Sequence, residues 1–283
     1  MAAFDLQFSH DTMILLAEAA YNPNLTAAAL PPGYSIVGPI EMDAVSAIAA
    51  RAPLPPQHAK MLARMQATGK NFGWLLENTA THAVVLAFRG TQSLEDWLHD
   101  FDFLPATYSP VPDYGTVHQG FQVAYLAVRN SVVSQFKKID PGYTRVIITG
   151  HSLGAALSEL AAPDLLHNFG LRVAPEVHNF AGPRVGHHDF SSLFDVQIDV
   201  CFRVVNTWDI VPSLPPPLAL FEHVGTAVHV DGGFTLNELV AHSMEKSYGP
   251  GLAKLVPQSA SPVRSAAIAA ANFPQEVLVG REP

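Results

Sequence analysis

Thr144–Ala162, TRVIITGHSLGAALSELAA, is the stretch whose reading decides the fold. Val146, Ile147 and Ile148 form a short β-branched run of the kind that fills a strand buried on both faces. Gly150-His151-Ser152-Leu153-Gly154 follows at once, and the Ala/Leu-rich residues from Leu153 to about His167 have strong helix propensity. Strand, G-x-S-x-G and helix in that order describe a nucleophile elbow. The turn is tight enough that a side chain at Gly150 or Gly154 would strike the neighbouring strand or helix. Ser152 is pushed out above the sheet edge, before the free N–H groups of the following helix. The competing reading is a plain Gly/Ser turn, since the pattern alone arises by chance in roughly one chain in ten of this length. Its placement between strand and helix argues instead for a candidate nucleophile.

Upstream of the elbow, Ser9 to Tyr21 reads as an amphipathic helix stopped by Asn22-Pro23-Asn24, and Pro31-Pro32-Gly33 as a loop. Asp43 to Ala50 and His58 to Ala67 are further helical segments, parted by Pro53, Pro55 and Pro56. Phe72 to Leu76 and His82 to Phe88 read as a hairpin, the second run ending in Phe88-Arg89-Gly90-Thr91. Val117-His118-Gln119-Gly120-Phe121 leads into a helix through about Lys138. Downstream, Arg172 to Phe180 and Val200 to Val205 read as strands, the first running into Ala181-Gly182-Pro183-Arg184-Val185-Gly186. Val211 to Pro217 is expected to be a stiff polyproline-like loop. Phe221 to Val230 holds a pair of short strands or one bent strand. His242 to Tyr248 forms a polar segment ended by Gly249-Pro250-Gly251, before an Ala/Pro-rich tail.

The 283 residues, 48% apolar and 14% charged, suffice for one large core. We expect a single domain over 1–283, with helices in 1–70, a core over about 72–248 and the tail 252–283. The net charge of −9 builds no basic stripe, which argues against a nucleic-acid partner. Cys201 is the sole cysteine, so no intramolecular disulfide is possible, and it reads as a buried small hydrophobe. Met13 to Ala20 is interrupted by Glu18 and has no basic residue before it, which does not match a secretory leader; no run of 18 apolar residues is long enough to span a membrane. These features fit an intracellular chain or a mature form whose leader has been removed.

A serine hydroxyl becomes a nucleophile when a base takes its proton and an acid holds that base. Asp209 follows the Val204-Val205 run, in the loop beyond a strand end, where open α/β sheets place ligand-facing residues. An Asx turn before the prolines is its bland reading. For the base, His242 lies beyond the last strand, with His223 as its rival, and a solvated surface histidine is the structural alternative. His151 is expected to fix the turn. His187-His188-Asp189, with His178 nearby, reads as solvated surface, because adjacent histidines on a regular element cannot face one ion. No metal or other cofactor is expected.

Leu94, Trp97, Leu98 and Phe101 fall at i, i+3, i+4 and i+7, one apolar stripe of a helix, with Glu95, Asp96, His99 and Asp100 opposite. The stripe either packs permanently on the core or acts as a lid that opens at a lipid interface.

The chain resembles the class 3, fungal-type triacylglycerol lipases. The likeness rests on Phe88-Arg89-Gly90-Thr91, Val117 to Phe121, Gly150 to Gly154, Phe180 to Gly186, Val204-Val205-Asn206 with Asp209, and Val211-Pro212 to Pro215, in the family's order. The resemblance implies an α/β-hydrolase fold, with a mostly parallel sheet and helices on both faces, and hydrolysis of carboxylic esters. It carries the nucleophile onto Ser152, the acid onto Asp209, the base onto His242 and the oxyanion donors onto Thr91 and Leu153. The implied substrate is a lipid or small ester, with transient interface contact through the lid. A feruloyl- or phospholipase-type esterase and a non-catalytic lipase-like scaffold are the alternatives. Two features depart from the fungal pattern: the Asp209–His242 interval is shorter, and no disulfide can form.

Overall fold

The computed structural model describes residues 3–51, 54–91 and 103–257. The stripe Leu94, Trp97, Leu98 and Phe101 and most of the C-terminal tail lie outside the described residues.

The strands, in chain order, are β1 (Tyr34–Glu41), β2 (Asn71–Asn78), β3 (Ala83–Phe88), β4 (Pro105–Thr107), β5 (Thr116–His118), β6 (Arg145–His151), β7 (Glu176–Phe180), β8 (Cys201–Asn206) and β9 (Thr226–Val230). Seven of them form one sheet in the order β1-β2-β3-β6-β7-β8-β9, while β4 and β5 pair separately. β1, β2 and β3 are antiparallel to their neighbours in turn, and β3, β6, β7, β8 and β9 run parallel. The hairpin expected before Arg89 is β2–β3.

Alternation along the strands builds a core on each face of the sheet. Val84, Leu86, Val146 and Ile148 face one side with Phe121, Val128, Leu157 and Leu160, residues of the helices Gln119–Phe136 and Leu153–Asn168. Val85, Ile147, Phe180 and Val204 face the other, against Met13, Ile14, Leu16 and Ala17 near the N-terminus and Tyr248 and Leu252 near the C-terminal end of the described chain. The central run Val146, Ile147 and Ile148 is completely buried, as the β-branched composition implies. The buried Asp164 ties the two large helices together, accepting from Tyr125 Oη at 2.6 Å and from the Arg129 guanidinium at 2.6 and 2.9 Å.

Several boundaries differ from those expected. β1 was not anticipated, because Gly38 and Pro39 break its pattern; both are tolerated because β1 is an edge strand with an irregular register after Ile36. A Cβ at Gly38 would lie 2.3 Å from Gln135 Oε1, so the glycine lets the long helix close on this edge. β7 begins at Glu176 and not at Arg172, since Pro175 has no N–H for a central ladder. The proline loop is two 3₁₀ turns, Val211–Ser213 and Pro217–Ala219, in which prolines occupy opening positions that need no donor. Only Thr226–Val230 of the last expected strand pair is a strand. Gly249-Pro250-Gly251, expected to end the polar segment His242 to Tyr248, instead opens a helix, Gly249–Leu255.

Candidate active site

The elbow lies where β6 meets the helix Leu153–Asn168. Ser152 has φ 60° and ψ −126°, a conformation L-residues adopt at energetic expense, and its N–H donates to Phe180 O at 3.0 Å. A Cβ at Gly150 would stand 2.2 Å from Gly154 O, and one at Gly154 2.3 Å from Phe88 O. Both collisions are with backbone, so neither position has room for a side chain. The parallel register pairs Phe88 with Gly150, which brings Arg89-Gly90-Thr91 alongside the serine. Gly90 is a third close approach: its Cβ would meet Ser152 Cβ at 3.0 Å and His151 O at 2.7 Å. Arg89 anchors this loop from below, donating to Asn71 O at 2.6 Å and to Thr68 Oγ1 at 3.0 Å, with its guanidinium 4.0 Å from the Phe72 ring centroid. Leu153 opens the helix, so its N–H is one of those a helix start leaves without an acceptor one turn back.

Asp209 and His242 meet across the ends of β8 and the short helix Glu238–Ala241. His242 Nδ1 lies 2.8 Å from Asp209 Oδ2. Tyr248 Oη donates to the same oxygen at 2.6 Å, and Val211 N–H donates to Oδ1 at 3.0 Å. Burial pushes the Asp209 carboxyl up, but His242 and these two donors outweigh it and hold the group below the ordinary aspartate range. The carboxylate therefore stays ionised and fixes His242 with Nε2 free to face a reacting group. Ser152 Oγ and His242 Nε2 are both buried and have no hydrogen-bond partner among the described residues. A nucleophile and base often draw together only around a bound substrate.

The structure distinguishes the two histidines left open by the sequence. His223 Nε2 bonds to Pro212 O at 2.8 Å, and burial with the nearby Arg203 charge pushes its imidazole down to about 3. It lines a separate cavity of about 750 Å³ with Arg184, His187 and Phe221, a lining that includes none of Ser152, Asp209 and His242.

The His151 side chain ties the elbow to two distant segments of the chain. Nε2 contacts His242 O at 2.8 Å and Nδ1 contacts Tyr21 Oη at 2.7 Å. Burial and the neighbouring His242 push its imidazole down to about 3, so the ring is neutral. The carbonyl needs a donor, so the proton sits on Nε2 and Tyr21 donates to Nδ1. Asn206 adds a second brace: its Nδ2 donates to Ala241 O at 2.8 Å and its Oδ1 accepts from Gly232 N–H at 3.0 Å. Tyr248, Tyr21 and the bracing role of Asn206 were not found in the sequence, since their partners lie 39, 130 and 35 residues away. A polar residue closing the apolar β8 run was the one available signal, and it pointed to Asn206.

The histidines expected on the surface divide. His188 is exposed and pairs with Glu222 at 3.0 Å, whereas His178 is buried beneath Phe8 and Phe202, with Nε2 3.6 Å from Glu176 Oε2. A strand residue alternates between two covered faces, so His178 could not stay solvated. Among the described residues no three His, Cys, Asp or Glu side chains gather as a metal-holding group.

The parallel sheet, the strained elbow and helices on both faces define an α/β-hydrolase fold. A family model described as Lipase (class 3) matches residues 85–219. It is 39% identical over 150 residues to a lipase of Rhizomucor miehei, covering 50% of this chain and 40% of that one. It is 32% identical over 190 residues to phospholipase A1-II 1 of Oryza sativa subsp. indica, covering 57% and 48%. The chain thus spans less than half the length of these two relatives. Lipase II from Rhizopus niveus superposes with a TM-score of 0.65 at 24% identity, over 86% of this chain and 92% of that one, a likeness of fold.

Proposed function

We propose that the protein is a serine hydrolase of carboxylic esters acting on acylglycerols, a lipase, with Ser152 as nucleophile, His242 as base and Asp209 as acid. The observation that carries this reading is the His242–Asp209 pair, 2.8 Å apart and buried, on the same sheet edge as a serine held at φ 60°. Ser152 Oγ attacks the ester carbonyl carbon and its proton passes to His242 Nε2. The carbonyl oxygen takes up the negative charge and is held by the Leu153 and Thr91 N–H groups, a contribution of roughly 3 kcal/mol per donor in comparable sites. His242 then gives the proton to the leaving alcohol, which breaks the C–O bond and leaves an acyl-Ser152. Water, deprotonated by His242, attacks that acyl group, and Ser152 recovers its proton as the acid leaves. Asp209 keeps the imidazole in the required tautomer and stabilises its charged form throughout.

The similarity to a rice phospholipase A1 favours a second reading, release of an acyl chain from a glycerophospholipid by the same residues. The deciding experiment is labelling with a fluorophosphonate probe, followed by assay on p-nitrophenyl esters, emulsified triglyceride and phosphatidylcholine. The expected result is labelling abolished by Ser152→Ala and hydrolysis of the acylglycerol ester. A folded wild type that neither labels nor turns over any ester sinks the reading and leaves a non-catalytic scaffold.

A further inference from the structure

Asp209 is buried, yet the residues on either side of it point outward: Trp208 is 42% exposed and Ile210 44%. The loop after the neighbouring strand β9 and the short helix that follows it repeat the pattern, with Phe234 at 68%, Leu236 at 88% and Leu239 at 40%. Single exposed apolar residues need no explanation, but five large ones on two adjacent loops and the helix after the second do. The two loops touch, since Trp208 and Phe234 pack edge to face with ring centroids 4.7 Å apart. They are also fixed. Trp208 Nε1 donates to Asp231 Oδ1 at 3.1 Å, Gly233 N–H donates to the same oxygen at 2.9 Å, and Asn237 caps the helix that leads to His242.

We propose that Trp208, Ile210, Phe234, Leu236 and Leu239 form a preformed docking surface for an uncharged or zwitterionic lipid surface. It would seat the protein with the triad's acid and base directly behind the contact. This rests on the ester-hydrolase reading of the same site. The loops leave the C-terminal ends of β8 and β9, so contact through them turns this edge of the parallel sheet towards the lipid. Charge selects the kind of lipid. Residues 207–210 and 231–241 contain no Lys or Arg, and Asp231 and Glu238 stand among the apolar side chains. Lys254 lies beside Asp231, its Nζ donating to Asp231 O at 2.8 Å, so anionic headgroups would meet two carboxylates against one cation, whereas phosphatidylcholine or a neutral ester droplet carries no net charge to be repelled.

The test uses the full chain carrying Ser152→Ala, so that vesicles are not consumed, in flotation with phosphatidylcholine vesicles and with vesicles of equal phosphatidylcholine and phosphatidylglycerol. Binding to phosphatidylcholine is expected, weaker on the anionic vesicles. Phe234→Ser with Leu236→Ser should reduce it at least about tenfold, from loss of apolar insertion. Both residues are largely exposed, so the fold should survive, as circular dichroism and thermal unfolding would report. With Ser152 restored, the double variant should hydrolyse a water-soluble p-nitrophenyl ester within about threefold of wild type. Unchanged vesicle binding by the double variant overturns the docking surface, while turnover of the soluble ester keeps the ester-hydrolase reading. Stronger binding to anionic vesicles also overturns it. So does a wild-type dimer in sedimentation that the double variant dissociates, since the occupant would then be a second copy of the chain. Absence of soluble-ester turnover in wild type would instead remove the reading on which the proposal rests.

Discussion

The ring of His151, the residue before the candidate nucleophile, donates from Nε2 to the carbonyl oxygen of His242, the candidate base, at 2.8 Å. The two rings are 4.5 Å apart, and Tyr21 closes the chain at His151 Nδ1, 2.7 Å away. The elbow therefore sets the backbone position of the candidate base. Because the His151 imidazole is held down to about 3 by burial and by His242, it adds no charge beside the base above that pH.

Removing this brace should reduce turnover while the triad side chains remain. His151→Leu is expected to lower kcat on a soluble p-nitrophenyl ester by roughly 10–100-fold, the scale of a small misplacement of a catalytic group. Tyr21→Phe should have a smaller effect in the same direction. Unaltered kcat in His151→Leu would mean that the position of His242 is set by Asp209 and Asn206 alone.

The assignment of the base is tested by paired substitutions. His242→Ala should reduce kcat/KM by roughly four to six orders of magnitude, as expected for a serine triad. His223→Ala, in the neighbouring cavity, should change it by less than about fivefold. The reverse ranking would transfer the role to His223.

Tyr248→Phe removes one donor to the Asp209 carboxylate and leaves the ring in place. A hydrogen bond to a charged group is worth about 1.5–3 kcal/mol, so kcat should fall by roughly tenfold or more. The lost bond favoured the ionised carboxylate, so the variant's Asp209 should titrate at higher pH than wild type. The acid limb of kcat/KM, which belongs to the coupled Asp–His pair, should move upward with it. A uniform loss of rate with no movement of the limb would indicate a structural role only.

Glu159 sits fully buried in the elbow helix, with Oε1 near Asn179 Nδ2 at 3.4 Å, and burial pushes its carboxyl up to about 8. A folded value raised above the unfolded one means that stability is fully present below about pH 4.5 and is lost as pH rises through about 8. Thermal or urea unfolding of wild type should show this decline, amounting to a few kcal/mol at most. Glu159→Gln cannot ionise and should flatten the profile between those limits. Parallel profiles for the two proteins would count against a protonated Glu159.

The stripe Leu94, Trp97, Leu98 and Phe101 is proposed as a lid. Burial of such side chains is worth roughly 1.5–3 kcal/mol each, so a closed form should dominate in water and open at a lipid surface. Wild-type activity on tributyrin should jump as droplets form, and Trp97→Ser with Leu98→Ser should lose the jump while retaining activity on the dissolved ester. Smooth saturation of wild type through the solubility limit would argue for a permanently packed helix.

The elbow was legible in the sequence because every constraint on it is local. Val146 to Ile148 make a strand, two glycines permit the turn, and Leu153 onward makes a helix, all within one short stretch. The hairpin before Arg89 and the helix after His118 were readable for the same reason. Segments that obey a neighbour and not their own composition were not. β1 carries Gly38 and Pro39 and is a strand only because β2 pairs with it at the sheet edge. Gly249 and Pro250 open a helix because that segment is packed against β9. In the site, the sequence by itself pointed to Ser152 in a strained setting and to Asp209 as the candidate acid. Only the tertiary structure shows His242, and not His223, bonded to Asp209, and only it brings Tyr248, Tyr21 and Asn206 around the candidate site. The physical reason is distance along the chain: a hydrogen bond leaves no trace in local composition when its two ends are brought together solely by strands stacking side by side.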